Sequence, residues 1–161
     1  MSGTSAATDT TASPALFHLA FPVHDLDLAE AFYVEGLGCS RGRRSAEALV
    51  LNFGGHQLVA HLEPRPLQPQ GSIYPRHFGL IFEQHSALLA LEQRAMAQGL
   101  KLGSPLRRRF AGTALEHSTL FLIDPSGNWL EFKHYADPTA ILGQTHTTGV
   151  GDHPCDAGRS G

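Results

Sequence analysis

The sequence contains the same pattern twice, and this repeat limits what the chain can fold into. The segment FHLAFPV (17–23) is an apolar, strand-like run with a histidine in second place, and RHFGLIF (76–82) has the same form. Each segment is followed by a helical pattern and then by three strand-like stretches. The repeat therefore predicts two βαβββ modules, at about 15–63 and 76–135, and places the chain in the α+β class.

The helix of each module is indicated by apolar residues spaced three and four apart. Asp27, with Glu30 three positions later, fits a capping pattern at the start of the first helix. The second helix is expected to end near Gly99, because glycine commonly follows a helix C-terminus. The apolar positions are Leu26, Ala29, Tyr33 and Leu37 in the first helix and Leu88, Leu91 and Ala95 in the second.

The strands that follow each helix are separated by recognisable turns. FGG at 53–55 and DPSGN at 124–128 contain residues that tolerate positive φ. The predicted strands are roughly 39–44, 47–53 and 56–63 in the first module and 101–110, 116–123 and 128–134 in the second.

The two ends of the chain differ in composition from the modules between them. Residues 1–14 are small and polar without periodicity, and we predict that they are disordered. Residues 137–161 are rich in Gly, Thr and Asp, and we interpret them as a short helical turn followed by a C-terminal tail. The folded domain is therefore predicted to span 15–136, with the Pro-rich loop 64–75 joining its halves. Residues 1–14 and 144–161 are expected to be dispensable for the fold.

The overall composition excludes several classes of function. The chain has 161 residues, 12 Lys+Arg, 15 Asp+Glu and a formal net charge of −3, so no basic surface favours nucleic acid or an acidic membrane. No apolar run approaches the roughly 20 residues that span a bilayer, and the N-terminus lacks the features of a signal peptide. Two cysteines do not suggest a disulfide framework, so a cytoplasmic location is expected.

Three side chains are candidates for a metal site. His18 and His77 occupy equivalent places on the first strands of the two modules, and Glu131 lies in the last predicted strand. Trp129, Glu131 and Lys133 share one face of that strand, while its apolar neighbours face the other way. A carboxylate among apolar residues is expected to be buried with a metal or a cation as its partner. Two imidazoles and one carboxylate form a facial triad that suits Fe(II) or catalytic zinc.

Four blocks in order carry a resemblance to a known family. FHLAFPVHDLDLAEAFYVEGLGC, FGGHQLVAHL, RHFGLIF and DPSGNWLEFK together resemble the vicinal oxygen chelate superfamily, over about residues 16–135. The chain is most similar to the small predicted ring-cleavage extradiol dioxygenases of that superfamily. The resemblance implies that the two modules form one open β-barrel around a metal site. It also implies that His18, His77 and Glu131 bind a divalent metal, with Fe(II) as first choice and Zn, Mn or Ni as alternatives.

Ring cleavage by this kind of site requires a base that takes a proton from the substrate. Histidine is the natural candidate, since its pKa lies near neutral pH. His61 ranks first, because it is two positions from Val59 on the same strand and shares a face with it. By analogy with Glu131, that face is expected to point to the cavity. His56 ranks second, because it begins the same strand, where the extradiol pattern places an acid/base histidine. His117 ranks third, because it precedes the metal-binding strand by one hairpin.

The resemblance leaves three functions open. The first is Fe(II)-dependent extradiol cleavage of a small catechol-like substrate, with O₂ as the second partner. The second is a glyoxalase-like isomerase or lyase on the same scaffold, in which the metal acts as a Lewis acid. The third is a non-catalytic small-molecule binding protein. A homodimer is compatible with each function. The short run Arg107, Arg108 and Arg109 is interpreted as a solvated strand, or as the source of one inward-pointing arginine that binds a substrate carboxylate.

Overall fold

The elements follow the predicted order closely. A computed structural model describes residues 14–151, so most of the predicted disordered segment 1–14 and the last ten residues of the tail lie outside the described residues. The described elements are β1 (His18–Val23), α1 (Leu26–Glu30), a π-helical stretch (Ala31–Gly36), β2 (Ser40–Arg44), β3 (Ala48–Phe53), β4 (His56–Leu62), β5 (Phe78–Ile81), α2 (His85–Ala97), β6 (Leu102–Arg109), β7 (His117–Ile123), β8 (Trp129–Tyr135) and a 3₁₀ turn (Pro138–Ala140).

The eight strands form two four-stranded sheets, which belong to two compact units. One unit contains residues 14–70 and 124–128, and the other contains 71–123 and 129–151. Each sheet carries one βαβββ module, so the α+β class and the two modules are confirmed. The expectation of one open barrel around a metal concerns both sheets together and stays a prediction.

The first unit is built on a sheet with strand order β1-β4-β3-β2. β1 pairs with β4 in parallel, and the other neighbours are antiparallel. One face of this sheet is apolar and buried, as the alternation of side chains along a strand requires. Its buried residues include Phe21, Val23, Leu49, Leu51, Leu58 and Ala60.

The helix of the first unit begins at a different cap from the one predicted. The carboxylate of Asp25 accepts hydrogen bonds from the backbone N–H groups of Asp27 (2.8 Å) and Leu28 (2.9 Å), so Asp25 is the N-cap. Asp27 lies inside the first turn, where its carboxylate pairs with Arg44. Glu30 does not complete a capping box, because it forms salt bridges with Arg41 and Arg44.

The DPSGN turn is ordered by a buried carboxylate. Asp124 accepts a hydrogen bond from the hydroxyl of Tyr33 (2.9 Å) and three more from within its own turn, one from Ser126 and two from Asn128. The side-chain amide of Asn128 also donates to the carbonyl oxygen of Pro22 (2.9 Å). Gly127 adopts a φ of 84°, which glycine tolerates without strain. The turn is therefore part of the packing of the first unit.

The second unit repeats the topology with strand order β5-β8-β7-β6. α2 packs against β7 and β8 and contributes Leu88, Leu91 and Ala95 to the core, as predicted. It ends at Ala97 with Gln98 as its C-cap, and Gly99 follows with a φ of 65°. The sheet residues beneath this helix include Leu120, Leu122, Leu130 and Phe132, and all four are buried.

The first strand of the second unit is shorter than predicted. β5 runs only from Phe78 to Ile81, so His77 lies just before the strand, whereas His18 is the first residue of β1. β5 pairs with β8 in parallel, and Gly79 lies opposite Glu131. A Cβ atom at Gly79 would lie 1.6 Å from the carbonyl oxygen of Glu131, so only glycine allows this approach. Among residues 14–151, no helix is long and apolar enough to cross a membrane.

Candidate functional site

Polar side chains gather on one face of the second sheet. The register pairs Arg109 with His117, His117 with Tyr135, Thr119 with Lys133, and Phe121 with Glu131. Residues opposite each other in a ladder share a face, and alternate residues along a strand return to that face. The face that points away from α2 therefore carries three cations, which are Arg107, Arg109 and Lys133, together with a carboxylate and an imidazole.

His77 and Glu131 form the closest polar pair on this face. The Nε2 atom of His77 lies 3.0 Å from Oε2 of Glu131, and the carboxylate is 5% exposed. The short β5–β8 pairing beside Gly79 places the two residues together. Two of the three predicted metal ligands are thus brought into contact within one unit, and the burial predicted for Glu131 is present.

The ring of His77 is held by its other nitrogen. Nδ1 lies 2.8 Å from the carbonyl oxygen of Ile73, and since a carbonyl only accepts, Nδ1 carries the proton. Nε2 is then the atom presented to Glu131. The hydrogen bond to Glu131 raises the pKa of His77, against the opposing effect of its burial. Metal-binding histidines commonly donate their second N–H to a backbone carbonyl in this way.

Glu131 is surrounded by donors that keep it ionised. The hydroxyl of Thr119 donates to Oε1 at 2.8 Å, and the ammonium of Lys133 lies 3.0 Å from Oε2. Burial acts to raise the pKa of Glu131, but the hydrogen bond from His77 and the charge of Lys133 outweigh it and lower the pKa to about 2. The result is a buried carboxylate with one oxygen fixed by Thr119 and the other shared between two cationic groups.

A cavity of about 480 Å³ opens beside this pair within the second unit. Its volume falls in the range of small-molecule sites, about 300–1,000 Å³. Strand residues that line it include His77, Arg109, His117, Glu131, Lys133 and Tyr135. Chain from Ala140 to Gly151 supplies another part of the wall, so the described part of the C-terminal tail borders the cavity.

His117 lines this cavity and contains a buried hydrogen-bond acceptor. Its Nδ1 atom lies 2.9 Å from the carbonyl oxygen of Leu115, which fixes the proton on Nδ1. The side chain is only 5% exposed, and Nε2 has no hydrogen-bond partner among the described residues. Burial lowers the pKa of His117, so the imidazole is neutral at neutral pH and Nε2 carries a lone pair. A buried acceptor in this state is suited to receive a proton from a ligand.

Arg109 is the buried cation of the same cavity wall. It is 8% exposed, and its guanidinium carbon lies 5.7 Å from the ring centroid of Phe110. Phe110 adopts a φ of 50°, in the left-handed region that phenylalanine rarely enters. Arg107 and Arg108, on the same strand, are exposed. One member of the basic run is therefore buried, while its binding of a substrate carboxylate stays a prediction.

The remaining predicted site residues lie in the first unit. His18 is exposed, and its Nδ1 atom lies 2.8 Å from Oε1 of Gln57. In the pairing of β1 with β4, His18 lies opposite Gln57 and Pro22 lies opposite His61. His18 and Pro22 are four positions apart on one strand and so share a face. His61 therefore lies on the same sheet face as His18. His56 accepts a hydrogen bond at Nδ1 from the backbone N–H of Phe17, 3.1 Å away. The roles predicted for His18, His61 and His56 stay predictions.

Several functional contacts were not identified from the sequence. Thr119 orients Glu131, the carbonyl oxygen of Ile73 orients His77, and Gly79 permits the close approach of β5 and β8. A signal existed for Gly79, since a glycine inside a strand pattern suggests close backbone approach. Thr119 and Ile73 carry no comparable signal, because their roles depend on which strands become neighbours.

The donor set at His77 and Glu131 fits a divalent metal ion. One imidazole nitrogen and one carboxylate oxygen face the same point, and each side chain is oriented by a further hydrogen bond, as is common around metal ligands. Within residues 14–151, no group of three or more His, Cys, Asp or Glu side chains is arranged to hold a metal. A metal at this pair would take the place of the His77 proton and of the Lys133 ammonium at Oε2.

Comparisons with known proteins identify the family. The chain matches the Glyoxalase/Bleomycin resistance protein/Dioxygenase superfamily over residues 15–132. A glyoxalase/bleomycin resistance protein/dioxygenase from Alicyclobacillus acidocaldarius is 46% identical, with a TM-score of 0.74, and the match covers 79% of this chain and 96% of that one. The chain therefore belongs to the glyoxalase/bleomycin resistance protein/dioxygenase superfamily, whose members commonly bind divalent metals.

More distant structures share the fold. The fosfomycin resistance protein FosX from Listeria monocytogenes is 15% identical with a TM-score of 0.60, and the match covers 76% of this chain and 93% of that one. A lactoylglutathione lyase from Agrobacterium tumefaciens is 20% identical with a TM-score of 0.59, and the match covers 77% and 96%. No curated protein matched the chain. An enzymatic function is consistent with this family, which includes lyases, transferases and dioxygenases.

Proposed function

We propose that this protein is a metal-dependent dioxygenase of the extradiol type that acts on a small catechol-like substrate. The observation that carries the proposal is the pair His77–Glu131, 3.0 Å apart, at a cavity of about 480 Å³ that also contains the buried acceptor of His117. A ligand pair and a base at one cavity are the minimum that such chemistry requires.

His77, Glu131 and His18 are the proposed metal ligands, with Fe(II) as the metal. The first two are supported by their contact and by the hydrogen bonds that orient them. His18 is proposed from its equivalent place in the sequence repeat and from the family resemblance. When bound, such an ion would supply two open positions for adjacent substrate oxygens and a place for O₂ beside them.

His117 is the proposed base, ahead of His61 and His56. It lines the same cavity as His77 and Glu131, and its Nε2 atom is the buried acceptor there. A catechol hydroxyl within hydrogen-bond reach of Nε2 would transfer its proton to that atom, and the carbonyl oxygen of Leu115 would hold the resulting imidazolium through Nδ1. His56 is less suited, because its Nδ1 atom already accepts from Phe17.

Apolar and aromatic side chains would position the substrate ring. The cavity is lined by Phe110, Leu115 and Tyr135. The ring centroids of His117 and Tyr135 are 4.7 Å apart, and the two ring planes are tilted by 30°. A flat ligand beside these rings would be kept in contact with Nε2 of His117. Such positioning converts an encounter in solution into a reaction between neighbours.

A glyoxalase-like isomerase or lyase is the second candidate. The observation in its favour is the same neutral imidazole, because a base beside a metal can also move a proton next to a carbonyl group. This reaction needs no oxygen. Consumption of O₂ therefore distinguishes the two functions.

The test is oxygen uptake by protein purified without air and loaded with Fe(II). We expect catechol-type substrates to consume one O₂ per molecule cleaved, with activity lost on exposure to air and restored by Fe(II) and a reductant. H77A should abolish uptake, and H85A, which changes an exposed histidine of the same unit, should not. Turnover of catechol-like or carbonyl substrates without oxygen uptake would favour the second candidate and contradict the first.

A further inference from the structure

We propose that residues 144–151, the strap, position His77 and His117 by packing against the loops that hold these two rings. The proposal rests on the proposed function for the roles of the two histidines, and it adds the segment that keeps them in place. Three observations in the second unit support it: the turn that the strap forms, the close contacts of two of its glycines, and the hydrogen bonds beside those contacts.

The strap has a defined conformation outside any helix or strand. The backbone N–H and the hydroxyl of Thr147 both donate to the carbonyl oxygen of Gln144, each at 3.0 Å. Gln144 has a φ of 59°, in the left-handed region that residues other than glycine rarely enter. Such a conformation persists only where the surrounding structure fixes it, and it is common at ligand sites. The strap is therefore a folded part of the cavity wall.

The first close contact of the strap is made at Gly149. A Cβ atom at this position would lie 2.8 Å from Cδ1 of Leu115 and 3.4 Å from Cε1 of Phe110, so the glycine backbone packs directly on both side chains. The carbonyl oxygen of Leu115 accepts the hydrogen bond from Nδ1 of His117 at 2.9 Å. The ring centroid of Phe110 lies 5.8 Å from that of His117. The strap thus contacts two of the residues that fix the position of His117.

The second close contact is made at Gly151, which has a φ of 65°. A Cβ atom there would lie 2.6 Å from the hydroxyl oxygen of Tyr74, which also lines the cavity. Tyr74 directly follows Ile73, whose carbonyl oxygen accepts the hydrogen bond from Nδ1 of His77 at 2.8 Å. The contact therefore lies one residue from the bond that orients the proposed metal ligand.

The two contacts connect loops that are distant in the sequence. One loop precedes β5 and orients His77, and the other joins β6 to β7 and orients His117. A metal ligand and a base that act on one substrate must keep a fixed geometry, because small displacements of reacting groups lower the rate strongly. A side chain at Gly149 or Gly151 would push the strap away from its loop. These two glycines are therefore positioning residues, which act through the loops that they contact.

The test measures how fast the Nδ1 protons of His77 and His117 exchange with solvent, by NMR on the full-length, metal-free protein. A hydrogen-bonded proton exchanges when its surroundings open locally, so the rate reports how firmly each loop holds its ring. The two signals are assigned by their loss in H77Q and H117Q. G149V should speed exchange at His117, and G151V should speed exchange at His77, each by about 10-fold or more, which corresponds to a modest cost of overpacking. T148V changes the exposed neighbour of Gly149 and should match the wild type.

A second background separates the contact from a general loss of stability. L115A removes the methyl group that Gly149 contacts, so G149V should speed exchange much less in L115A than in the wild type. If G149V fails to fold by circular dichroism, G151V still decides through His77.

Three results would overturn the positioning role of the strap. They are exchange in G149V and G151V that is as slow as in T148V, an effect of G149V that is undiminished in L115A, and wild-type protons that exchange too fast to be detected. Oxygen uptake is scored separately. Exchange that depends on the strap in a protein without any oxygen uptake would contradict the dioxygenase function alone.

Discussion

The Nε2 atom of His77 lies 3.0 Å from Oε2 of Glu131, and each residue has a second hydrogen bond that fixes its orientation. Ile73 holds the imidazole and Thr119 holds the carboxylate. Two side chains restrained in this way lose little conformational freedom when they bind a common ion. The pair can therefore act as one preorganised unit.

The close approach of β5 and β8 predicts that Gly79 cannot be replaced by alanine without loss of stability. A Cβ atom would lie 1.6 Å from the carbonyl oxygen of Glu131, so one strand must move. We expect G79A to lower the free energy of unfolding by at least ~1–3 kcal/mol, the usual cost of overpacking. Urea denaturation measures the change.

The matched control for this prediction is G71A. A Cβ atom at Gly71 meets no other atom within 4 Å, so this variant should unfold close to the wild type. A G79A variant as stable as G71A would show that the strands do not approach as described.

The cavity wall predicts that the tail matters for ligand binding and not for the fold. Residues from Gly143 to Gly151 line the cavity, but the sheet and α2 supply the buried core of the second unit. A chain shortened to residues 15–143 should keep a cooperative thermal transition and bind catechol more weakly than the full chain. Differential scanning calorimetry and titration calorimetry measure the two effects. A shortened chain that fails to fold, or one that binds as well as the full chain, would contradict this assignment.

If His117 is the base, its replacement should lower turnover without removing the metal. H117Q should keep its metal and lose about 10²–10⁴-fold in turnover, the usual contribution of a general base. H61Q is the matched variant. It should retain most activity, because the proposed base is His117, which lines the same cavity as His77 and Glu131. Stopped-flow rates and metal analysis are compared for both variants. If H61Q loses its activity while H117Q keeps it, the ranking made from the sequence was right.

The burial of His117 predicts a pH dependence of stability. Its pKa in the folded state is lowered by burial below the unfolded value of about 6.5, so the unfolded chain binds the proton more readily. The stability associated with the neutral ring is fully present above pH ~6.5 and is lost as the pH falls towards the lower folded pKa. In metal-free protein, the free energy of unfolding should fall less in H117Q than in the wild type between pH 7.5 and 5.5. Urea denaturation at both pH values tests this, and an equal fall in the two proteins would contradict it.

The sequence was sufficient to predict the repeat and the strand faces. The hydrophobic periodicity predicted the position of each module, and the alternation of side chains predicted that Glu131 and Lys133 share one face. In the structure Nζ of Lys133 lies 3.0 Å from Oε2 of Glu131. Parity depends only on the alternation of side chains along a strand, so it can be read without knowing the neighbours. The end of α2 beside Gly99 was predictable for a similar reason, since the left-handed conformation there favours glycine.

Features that depend on neighbours were not predictable in the same way. Two aspartates flank the start of α1, and only the backbone shows that Asp25, not Asp27, accepts the cap hydrogen bonds. The basic run offered three arginines; Arg107 and Arg109 share a face of β6, and only the structure shows that Arg109 is the buried one. His117 ranked low because its acceptor matters only beside the cavity, which the sequence does not show.

The metal content of the purified protein shows whether His77 and Glu131 hold a divalent ion. The wild-type protein, purified without air, should contain about one divalent ion per chain by inductively coupled plasma mass spectrometry. H77A and E131Q should each lose most of it, because each removes one half of the restrained pair. H85A, at an exposed position of the same unit, should retain it. Stoichiometric metal in both H77A and E131Q would contradict the account, since the ion would then be held elsewhere.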